Sequence, residues 1–523
     1  MKTLKIFLPF IALSLFSCSD FLDVNNTPNS PTADIVPPNL ILAAAHSNSY
    51  RTMATTANEL GNVWMNNWGA NVNAFTGGYA DEFSLAINAS FYQGIWNNIY
   101  LNTANYSNII NSEFPNYENH KSIARIMKTY YFQYLVDLYG DIPYSEAHLG
   151  DANLAPVYDN DKDIYRDLYE QLDLAITDIQ NAPATTIAVG SEDVIMGGDM
   201  SKWIKFANTL KLRLLIRQSE LALTDAATQT YLNTKFAELV ADGATFIGAG
   251  ETATINPGYS NNSESRQNPF YNRWGLTLNG SSETQSYRFV GASADIAANL
   301  NTSPPDPRRA RQYTVVGGNV VGVKQGDASQ NGGGGTAPLN ISKLGIAFFP
   351  NTGVGTAAGA TTSATASAQN GFIMTASESL FLQAEAVHRG YLPGNAKALF
   401  DAAISQSFVM TGATIGTYLT AVDSQVGKGW TATPNKIEAI MYQKRIALMN
   451  IHGIESFIEY TRTGFPRVPR ASTAQYPSKP NRLMYPTSEL SGNSANVPTQ
   501  TLANVFNTFV FWDVTPPVAE PIN

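Results

Sequence analysis

Residues 120–140, HKSIARIMKTYYFQYLVDLYG, repeat apolar side chains every three to four positions and end at a glycine. This spacing places the apolar side chains on one face of an α-helix. Gly140 and Pro143 are typical of a helix end, because glycine terminates helices readily and proline cannot continue them. The preceding segment, 90–113, has the same spacing. The two segments therefore predict a helix pair near residues 90–140.

Three further pairs of segments show the same periodicity, near residues 163–223, 377–410 and 435–464. Helix pairs in series are typical of tetratricopeptide-like repeats, in which each helical hairpin buries its apolar face against the next. The sequence therefore predicts a mainly α fold, built as a tetratricopeptide-like helical repeat scaffold of four helix pairs.

The second and third pairs are separated by a long insertion, residues 224–376. It is rich in Gly, Asn, Ser and Thr, and it contains SQNGGGGTAP at 329–338. This composition predicts irregular loops with short strands. The insertion is not a hinge between independent domains, because the helix pairs resume after it. Insertions on a repeat scaffold commonly form its binding face, so we expect the ligand surface here.

Composition and charge favour some classes of function over others. Hydrophobic residues make up 44% of the 523 residues and charged residues 14%, which suits a large core and is not typical of a disordered chain. The formal net charge of -9 repels phosphate backbones, so nucleic acid is not an expected partner. Aromatic residues at 11%, with abundant Asn, Ser and Thr, favour neutral polar ligands.

The first seventeen residues, MKTLKIFLPFIALSLFS, precede Cys18, the only cysteine in the chain. Two lysines followed by a short apolar run are typical of a signal peptide, and the run is too short to span a bilayer core of ~30 Å. The letters LFSC at 15–18 look like a bacterial lipobox, which implies cleavage before Cys18 and acylation of that cysteine, for example by palmitate. An ordinary secretory leader with an incidental cysteine is the alternative.

These features predict three parts of the chain. Residues 1–17 are a lipoprotein signal peptide, residues 18–37 are a lipidated tether rich in Asn and Pro, and residues 38–523 are one domain. Several acyl chains together would hold the protein on a membrane, where a single chain is marginal.

The segment NVWMNNWGANVNAFTGGYADEFSL, residues 62–85, combines aromatic side chains with Asn and Gly. Sugar rings stack their C–H faces on aromatic rings, and asparagine both donates to and accepts from hydroxyls. Trp68, Phe75 and Tyr79 are therefore candidate ligand-binding residues. The alternative is that Trp64 and Trp68, four residues apart, form an apolar stripe of a core helix. We favour the core for Trp64 and leave both interpretations open for Trp68.

A second candidate segment, NPFYNRWG at 268–275, lies within the insertion. Tyr271, Arg273 and Trp274 could supply stacking and directed hydrogen bonds to a ligand, or could instead anchor the loop. Trp430, in GKGW, stands just before a helix pair and is expected to pack.

No catalytic residue, metal ion or cofactor is predicted. Asp159, Asp161, Asp163 and Glu170 fit four positions of a calcium loop, but Ile164 stands where the loop needs glycine, so helix capping is the better interpretation. The histidines lack metalloprotease spacing, and there is no nucleophile elbow or Walker loop. A carboxylate pair for glycoside hydrolysis stays open, because the separation of two carboxylates is a three-dimensional property.

Charged residues also recur near the fourth helix pair, in QKRIALMNIHGIESFIE at 443–459. Lys444, Arg445, Glu455 and Glu459 are expected to pair with each other between adjacent helices rather than to catalyse a reaction.

Six segments in order carry a resemblance to a known family. They are CSDFLDVN at 18–25, YYFQYLVDLYGDIPYSEA at 130–147, KWIKFANTLKLRLLIR at 202–217, SESLFLQAEAVHRGY at 377–391, QKRIALMNIHGIESFIEYTRTGFP at 443–466 and NRLMYPTSELSGN at 481–493. Together with the lipobox they resemble the SusD/RagB family of bacterial outer-membrane lipoproteins.

The resemblance implies both an activity and a partner. Members of that family are not enzymes: they capture glycans at the cell surface, or oligopeptides in the RagB branch, and pass them to a SusC-like TonB-dependent transporter that they cap. We therefore expect a surface-facing outer-membrane lipoprotein that binds oligosaccharide nutrients. An oligopeptide-binding protein, a surface glycoside hydrolase and a purely structural lid are the alternatives.

Overall fold

The computed structural model describes residues 35–75, 77–327, 340–347, 360–516 and 518–522. The predicted signal peptide, the lipid attachment site Cys18 and the tether up to residue 34 lie outside these residues. Within the described part, helices dominate and four short strands accompany them.

The helices of the first half lie mostly before and within the first two helix pairs. They are α1 (Pro38–Thr52), α2 (Asn58–Trp64), α3 (Ala80–Ser84), α4 (Gly94–Ile110), α5 (Glu118–Tyr139), α6 (Asp161–Gln180), α7 (Met200–Arg217) and α8 (Ala226–Ala241). A π-helical turn, Met53–Ala57, joins α1 to α2.

Short helices follow in the insertion, and longer ones in the last two pairs. They are α9 (Pro269–Trp274), α10 (Gln285–Phe289), α11 (Ala294–Asn301), α12 (Arg309–Gln312), α13 (Ala360–Ser367), α14 (Ala376–His388), α15 (Ala396–Thr411), α16 (Tyr418–Asp423), α17 (Lys436–Leu448), α18 (Gly453–Thr463), α19 (Thr487–Gly492) and α20 (Asn504–Asn507). The strands are β1 (Trp68–Ala70), β2 (Ala253–Ile255), β3 (Val290–Ala292) and β4 (Gly371–Met374).

The four predicted helix pairs are confirmed within the described residues: α4 with α5, α6 with α7, α14 with α15, and α17 with α18. Successive pairs also pack on each other, since α5 contacts α6 and α14 contacts both α7 and α17. The second and third pairs are therefore neighbours in space despite the long insertion between them. The mainly α, tetratricopeptide-like scaffold is the fold of this chain.

The motif that ends α5 behaves as its residues predict. Gly140 adopts a φ of 75°, and its N–H donates to Val136 O at 2.9 Å, which closes the last turn. The Asp141 carboxylate accepts from the N–H of Asp161 at 2.9 Å, and the Asp159 carboxylate accepts from the N–H of Tyr144 at 2.9 Å. These carboxylates therefore bind backbone amides between the two helix pairs.

The insertion contains short strands and irregular loops, as predicted, and it also contains the 16-residue helix α8. Asp225 caps this helix by accepting from the N–H of Thr228, and Leu232, Phe236 and Leu239 are buried at helical spacing. Strand β3 of the insertion pairs antiparallel with β1, which precedes the first helix pair, whereas β2 and β4 pair with each other inside the insertion. The insertion is thus anchored to the helical body rather than separate from it.

Buried charges join the second and fourth helix pairs. Arg217 contacts Glu455 at 2.9 Å and Glu459 at 2.8 Å, and Lys444 contacts the same two carboxylates at 3.2 and 2.9 Å. Burial alone would raise the pKa of Glu459, but Arg462, Lys444 and Arg217 hold it well below its usual value. The predicted structural pairing of Lys444 with Glu455 and Glu459 is confirmed.

Arg445 departs from that expectation. Its guanidinium contacts Asp295 in the insertion at 2.8 Å and donates to the Asn67 side chain at 3.0 Å, so it does not pair within the fourth helix pair. Arg445 instead joins the helical scaffold to the insertion and to the segment around β1.

Candidate ligand-binding cleft

A surface cleft of about 360 Å³ opens between the loop that follows β1 and the segment 324–327 of the insertion. This volume lies within the range of small-molecule sites. The lining residues are Ala70, Val72, Gly77, Gly78, Ala80, Asp81, Phe83, Ser84, Lys324, Gly326, Asp327 and Thr473.

Backbone pairing positions both walls of the cleft. In the β1–β3 pair, Trp68 lies opposite Ala292 and Ala70 lies opposite Val290. Beyond the strand, the N–H of Asn71 donates to Phe289 O at 2.7 Å. The loop after β1 therefore runs directly beside the end of α10.

The second wall is held by a buried glutamine. The Gln325 side chain donates to Trp68 O at 2.7 Å and to Val63 O at 2.9 Å. The N–H of Ser472 in turn donates to Gln325 O at 3.1 Å. Because Gln325 stands between Lys324 and Gly326, these bonds place both cleft-lining residues.

Four aromatic side chains gather beside the cleft, and we call them the aromatic rim: Phe75, Tyr79, Phe83 and Phe289. Phe289 makes edge contacts with Phe75 at 5.7 Å and with Tyr79 at 4.7 Å between ring centroids. Phe75 and Phe289 are half-buried, whereas Tyr79 and Phe83 are buried. The rim therefore offers partly exposed ring surface at two positions.

Gly78 allows the close approach of the rim to the cleft wall. A Cβ at this position would lie 2.3 Å from the Phe289 ring and 3.0 Å from the Cβ of Ala70. Any larger residue would push the Phe289 ring aside, so glycine is required by the packing here.

Polar side chains complete the lining. Asp81, Lys324 and Thr473 are exposed, and Asp327 and Ser84 are partly exposed. Carboxylate, ammonium and hydroxyl groups can together donate to and accept from a ligand that carries many hydroxyls. The cleft thus combines ring surface with mixed hydrogen-bonding groups of both charges.

A buried carboxylate connects the rim to the core. The Glu59 carboxylate contacts the Arg273 guanidinium, and it accepts from the Tyr79 hydroxyl at 3.3 Å. Burial raises the pKa of Glu59 although Arg273 acts in the opposite direction. Tyr79 and Arg273 are therefore engaged with Glu59, which leaves only the exposed part of Arg273 accessible to a ligand.

Three of the six predicted ligand-binding residues lie in the core. Trp68, Tyr271 and Trp274 have 0% exposed surface. Trp68 donates from Nε1 to the Asn450 side chain at 2.6 Å and makes an edge contact with Trp274 at 5.1 Å. These side chains have no surface to offer a ligand, so the ligand-contact prediction for them is replaced by a packing role.

The remaining predictions lie closer to the cleft. Within the aromatic rim, Phe75 is half-buried and Tyr79 is buried, whereas Arg273 is exposed on α9. Trp64 is 2% exposed and packs on Phe457 at 4.8 Å, in agreement with the core interpretation.

The asparagines of segment 62–85 also include both buried and exposed residues. Asn62, Asn66 and Asn67 are fully buried. The Asn62 side-chain oxygen accepts from the N–H of Asn450 at 3.0 Å and from the Asn67 amide at 3.1 Å. These three side chains are enclosed in the protein. Asn73 differs in burial, because it is exposed on the loop beside the cleft.

Sequence reasoning missed Phe289, Lys324, Asp327 and Thr473. Phe289 is the last residue of the short helix α10 and directly precedes β3, in SYRFVGA at residues 286–292, which gives only a weak local signal. The other three residues come from segments far apart in sequence, and nothing local distinguishes them. Only the fold brings them to one cleft.

Neither a metal-binding cluster nor a membrane-spanning helix occurs among the described residues. No group of three or more His, Cys, Asp or Glu side chains there is arranged to hold a metal ion. No helix among them has both the length and the apolar character needed to cross a membrane.

A family model described as SusD-like, starch-binding and associating with the outer membrane, matches residues 28–486. A search of curated proteins found no match.

Solved structures resemble most of the chain. A chitin-binding SusD homologue from Flavobacterium johnsoniae superposes with a TM-score of 0.70 at 20% identity, covering 91% of this chain and 99% of its own. A SusD homologue from Parabacteroides distasonis gives 0.70 at 20% identity, covering 92% and 99%. A SusD-like protein from Bacteroides thetaiotaomicron gives 0.67 at 22% identity, covering 88% and 94%. At these identities the similarity establishes the fold.

Proposed function

The chain belongs to the SusD-like family, and on this premise we propose that it binds oligosaccharides in the cleft and delivers them to a SusC-like TonB-dependent transporter. In this proposal the protein is a lipoprotein of the outer membrane, anchored through Cys18 and facing the cell surface. The family description, starch-binding and associating with the outer membrane, supports the ligand class and the location.

The observation that carries the proposal is the aromatic rim beside a cleft with mixed polar groups. Pyranose rings expose C–H faces that pack on aromatic rings, and Phe75 and Phe289 present partly exposed rings. Hydroxyls need partners that donate and accept, which Lys324, Asp81 and Thr473 provide. An open cleft on the protein surface also suits a chain that extends beyond a single sugar unit.

Chitin-derived oligosaccharides are the first ligands to test. A solved structure with the same fold is titled a chitin-binding SusD homologue, and the family description names starch. We therefore propose a neutral glycan, with chitooligosaccharides ahead of maltooligosaccharides, and we keep an oligopeptide as the alternative outcome.

We propose that the cleft binds its ligand without turnover. The carboxylates buried between the helix pairs, including Glu455 and Glu459, are paired with Arg or Lys side chains and lie in the core rather than in the cleft. The cleft itself contains Asp81 and Asp327. Release of reducing ends from a polysaccharide by the purified protein, abolished by Asp81→Asn, would overturn this part of the proposal.

Calorimetric titration of chitooligosaccharides, maltooligosaccharides and short peptides into the soluble domain tests the ligand class. We expect Phe75→Ala to weaken glycan binding by about 5- to 30-fold, corresponding to ~1–2 kcal/mol of stacking energy. Phe509→Ala is the matched control, because Phe509 is 37% exposed and belongs neither to the aromatic rim nor to the cleft lining.

The outcomes separate the alternatives clearly. Peptide binding without glycan binding would replace the oligosaccharide by an oligopeptide. Glycan binding that Phe75→Ala leaves unchanged would move the site away from the rim. Co-purification with a transporter but without any small ligand would support a purely structural lid.

The anchor and the partner need separate experiments in cells. We expect labelled palmitate to enter the wild-type protein but not Cys18→Ala, and affinity capture of the wild type to recover a TonB-dependent transporter. Equal labelling of both proteins would contradict the lipid attachment.

A further inference from the structure

A second pocket of about 160 Å³ lies apart from the cleft and shares no lining residue with it. Its walls are the end of α18 with the residues that follow it, the segment 478–481, and residues 515–516 and 518–521 of the C-terminal segment. Hydrogen bonds hold the C-terminal segment in place: the N–H of Arg470 donates to Pro521 O at 3.0 Å, and the N–H of Glu520 donates to Pro477 O at 2.9 Å.

The walls of this pocket are mainly apolar rings and methyl groups. Phe465, Pro480, Pro516 and Val518 contribute them. An engineered apolar cavity of roughly 150 Å³ binds benzene, so a pocket of this size admits one six-membered ring but not a chain of rings. The size therefore limits the ligand to a single cyclic unit or to one terminal unit of a longer molecule.

The floor of the pocket is a buried ion pair. The Lys479 ammonium donates to the Glu520 carboxylate at 2.8 Å, and the Tyr460 hydroxyl donates to the other oxygen of the same carboxylate. Lys479 and Glu520 are 5% and 8% exposed. Because Lys479 is paired with Glu520, their charges largely cancel, and the floor presents a polar but nearly neutral surface.

The remaining charge in the lining belongs to Arg467. This arginine is exposed, and within the described part of the chain its guanidinium makes no hydrogen bond or ion pair. The lining contains one arginine, one lysine and one glutamate, a net charge of +1 on a chain whose net charge is -9. A guanidinium presents a planar fork of donors that matches a carboxylate.

We propose that this second pocket binds a six-membered ring that carries one carboxylate. The carboxylate pairs with Arg467, and the ring packs between Phe465 and the prolines. A sugar acid and an aromatic acid share this chemistry, so D-glucuronate and benzoate are the two probes. The inference is independent of glycan binding in the cleft, because the two sites share no residue.

The experiment is calorimetric or fluorescence titration of the folded domain with D-glucuronate, benzoate and D-glucose. We expect one carboxylate probe or both to bind with a stoichiometry of one, while glucose, which lacks the carboxylate, does not bind. Arg467→Ala should weaken binding about tenfold or more, as expected for the loss of a charge-assisted pair. Arg266→Ala is the matched control, because Arg266 is also exposed and lines neither pocket.

A second variant tests whether the ligand lies in this pocket, and it leaves the charge of the pocket unchanged. Ala519 is exposed and lines the pocket, so Ala519→Phe should block it and abolish binding while the melting temperature stays within a few degrees of the wild type. Binding of glucuronate alone assigns the pocket to sugar acids, and binding of benzoate alone assigns it to aromatic acids.

Three results would overturn the proposal. Neither carboxylate probe binds the wild type, or glucose binds as well as glucuronate, or Arg467→Ala and Arg266→Ala weaken binding equally. If Phe75→Ala rather than Arg467→Ala removes carboxylate binding, the ligand lies in the cleft, and the second pocket is not its site.

Discussion

Residues 62–70 and residues 71–85 have similar compositions but differ in burial, because the first stretch is buried throughout and the second is partly exposed. Both halves contain aromatic and asparagine residues. In the first half, Trp64, Trp68 and the asparagines are buried, whereas in the second half Asn73 is exposed and Phe75 is half-buried beside the cleft. Aromatic and asparagine side chains therefore pack in the core in the first stretch and reach the protein surface in the second.

Long-range contacts create this difference. The first half is enclosed by α17, α18 and the strand β3, and its amides hydrogen-bond with Asn450 and Arg445. The second half leaves the strand at Asn71 and runs along the cleft. An aromatic residue next to asparagines therefore does not by itself indicate a sugar site, because the same pair also builds a hydrogen-bonded core.

The largest expected effect tests the buried half. Trp68→Ala removes a side chain with no exposed surface and leaves Asn450 without its indole donor. We expect the free energy of unfolding to fall by about 3–5 kcal/mol, measured by chemical denaturation. Phe75→Ala is the comparison from the second half and should cost about 1 kcal/mol or less. A Trp68→Ala variant that keeps its stability and loses glycan affinity would reverse our assignment.

Asparagines of the two halves allow the same comparison for hydrogen bonds. Asn67→Ala removes the acceptor of Arg445 Nε at 3.0 Å and the donor to Asn62 at 3.1 Å. Because buried polar groups lose their partners, we expect a loss of about 1–3 kcal/mol in unfolding free energy. Asn73 is exposed, so water can replace a hydrogen bond that its side chain makes, and Asn73→Ala should change the unfolding free energy by about 0.5 kcal/mol or less. Equal losses in the two variants would show that exposure does not separate the halves.

Two neighbouring glycines sharpen the description of the rim. Gly78→Ala places a methyl group against Phe289, whereas Gly77 has no atom within 4 Å of an added Cβ and has a φ of 73°. We expect Gly78→Ala to displace the Phe289 ring and weaken glycan binding about tenfold. Gly77→Ala should lower stability by about 1 kcal/mol through backbone strain and leave affinity unchanged. Weaker binding in Gly77→Ala alone would locate the ligand elsewhere on the loop.

The smallest expected effect lies at Glu59, which connects the two halves. Burial raises the pKa of Glu59, so the folded state favours its protonated form. The stability from this group is present below the usual glutamate range and is lost as the pH rises through the raised value. Glu59→Gln does not titrate, so its stability relative to wild type should increase by a small amount between about pH 4 and pH 8. Chemical denaturation of both proteins at the two pH values measures this difference in stability. A difference that falls as the pH rises would show that Arg273 outweighs burial.

The scaffold was predictable because its signal is local. Helical periodicity in 120–140 and in the other paired segments reports which face of each helix is buried. Gly140 ends α5, and its backbone conformation is one that glycine adopts readily. The pairing of Lys444 with Glu455 and Glu459 was also visible, since these charges recur on consecutive helices.

The candidate site was only partly predictable. Phe75 was selected from its loop context and lies at the rim, while Trp68, Tyr271 and Trp274 were selected on equal chemical grounds and lie in the core. Phe289 was missed, although it contacts both Phe75 and Tyr79. The spacing of residues along a loop does not reveal which other segment covers them.

The sequence by itself determined the four helix pairs, the long insertion and the membership of the family, because periodicity and ordered motifs are properties of neighbouring residues. The tertiary structure alone decided which aromatic rings remain accessible and where Lys324 and Thr473 meet Asp81. Burial depends on segments hundreds of residues apart, such as β1 and β3, and on the hydrogen bonds that hold them together. A residue's chemistry is encoded locally, whereas its access to a ligand depends on the packing of the whole chain.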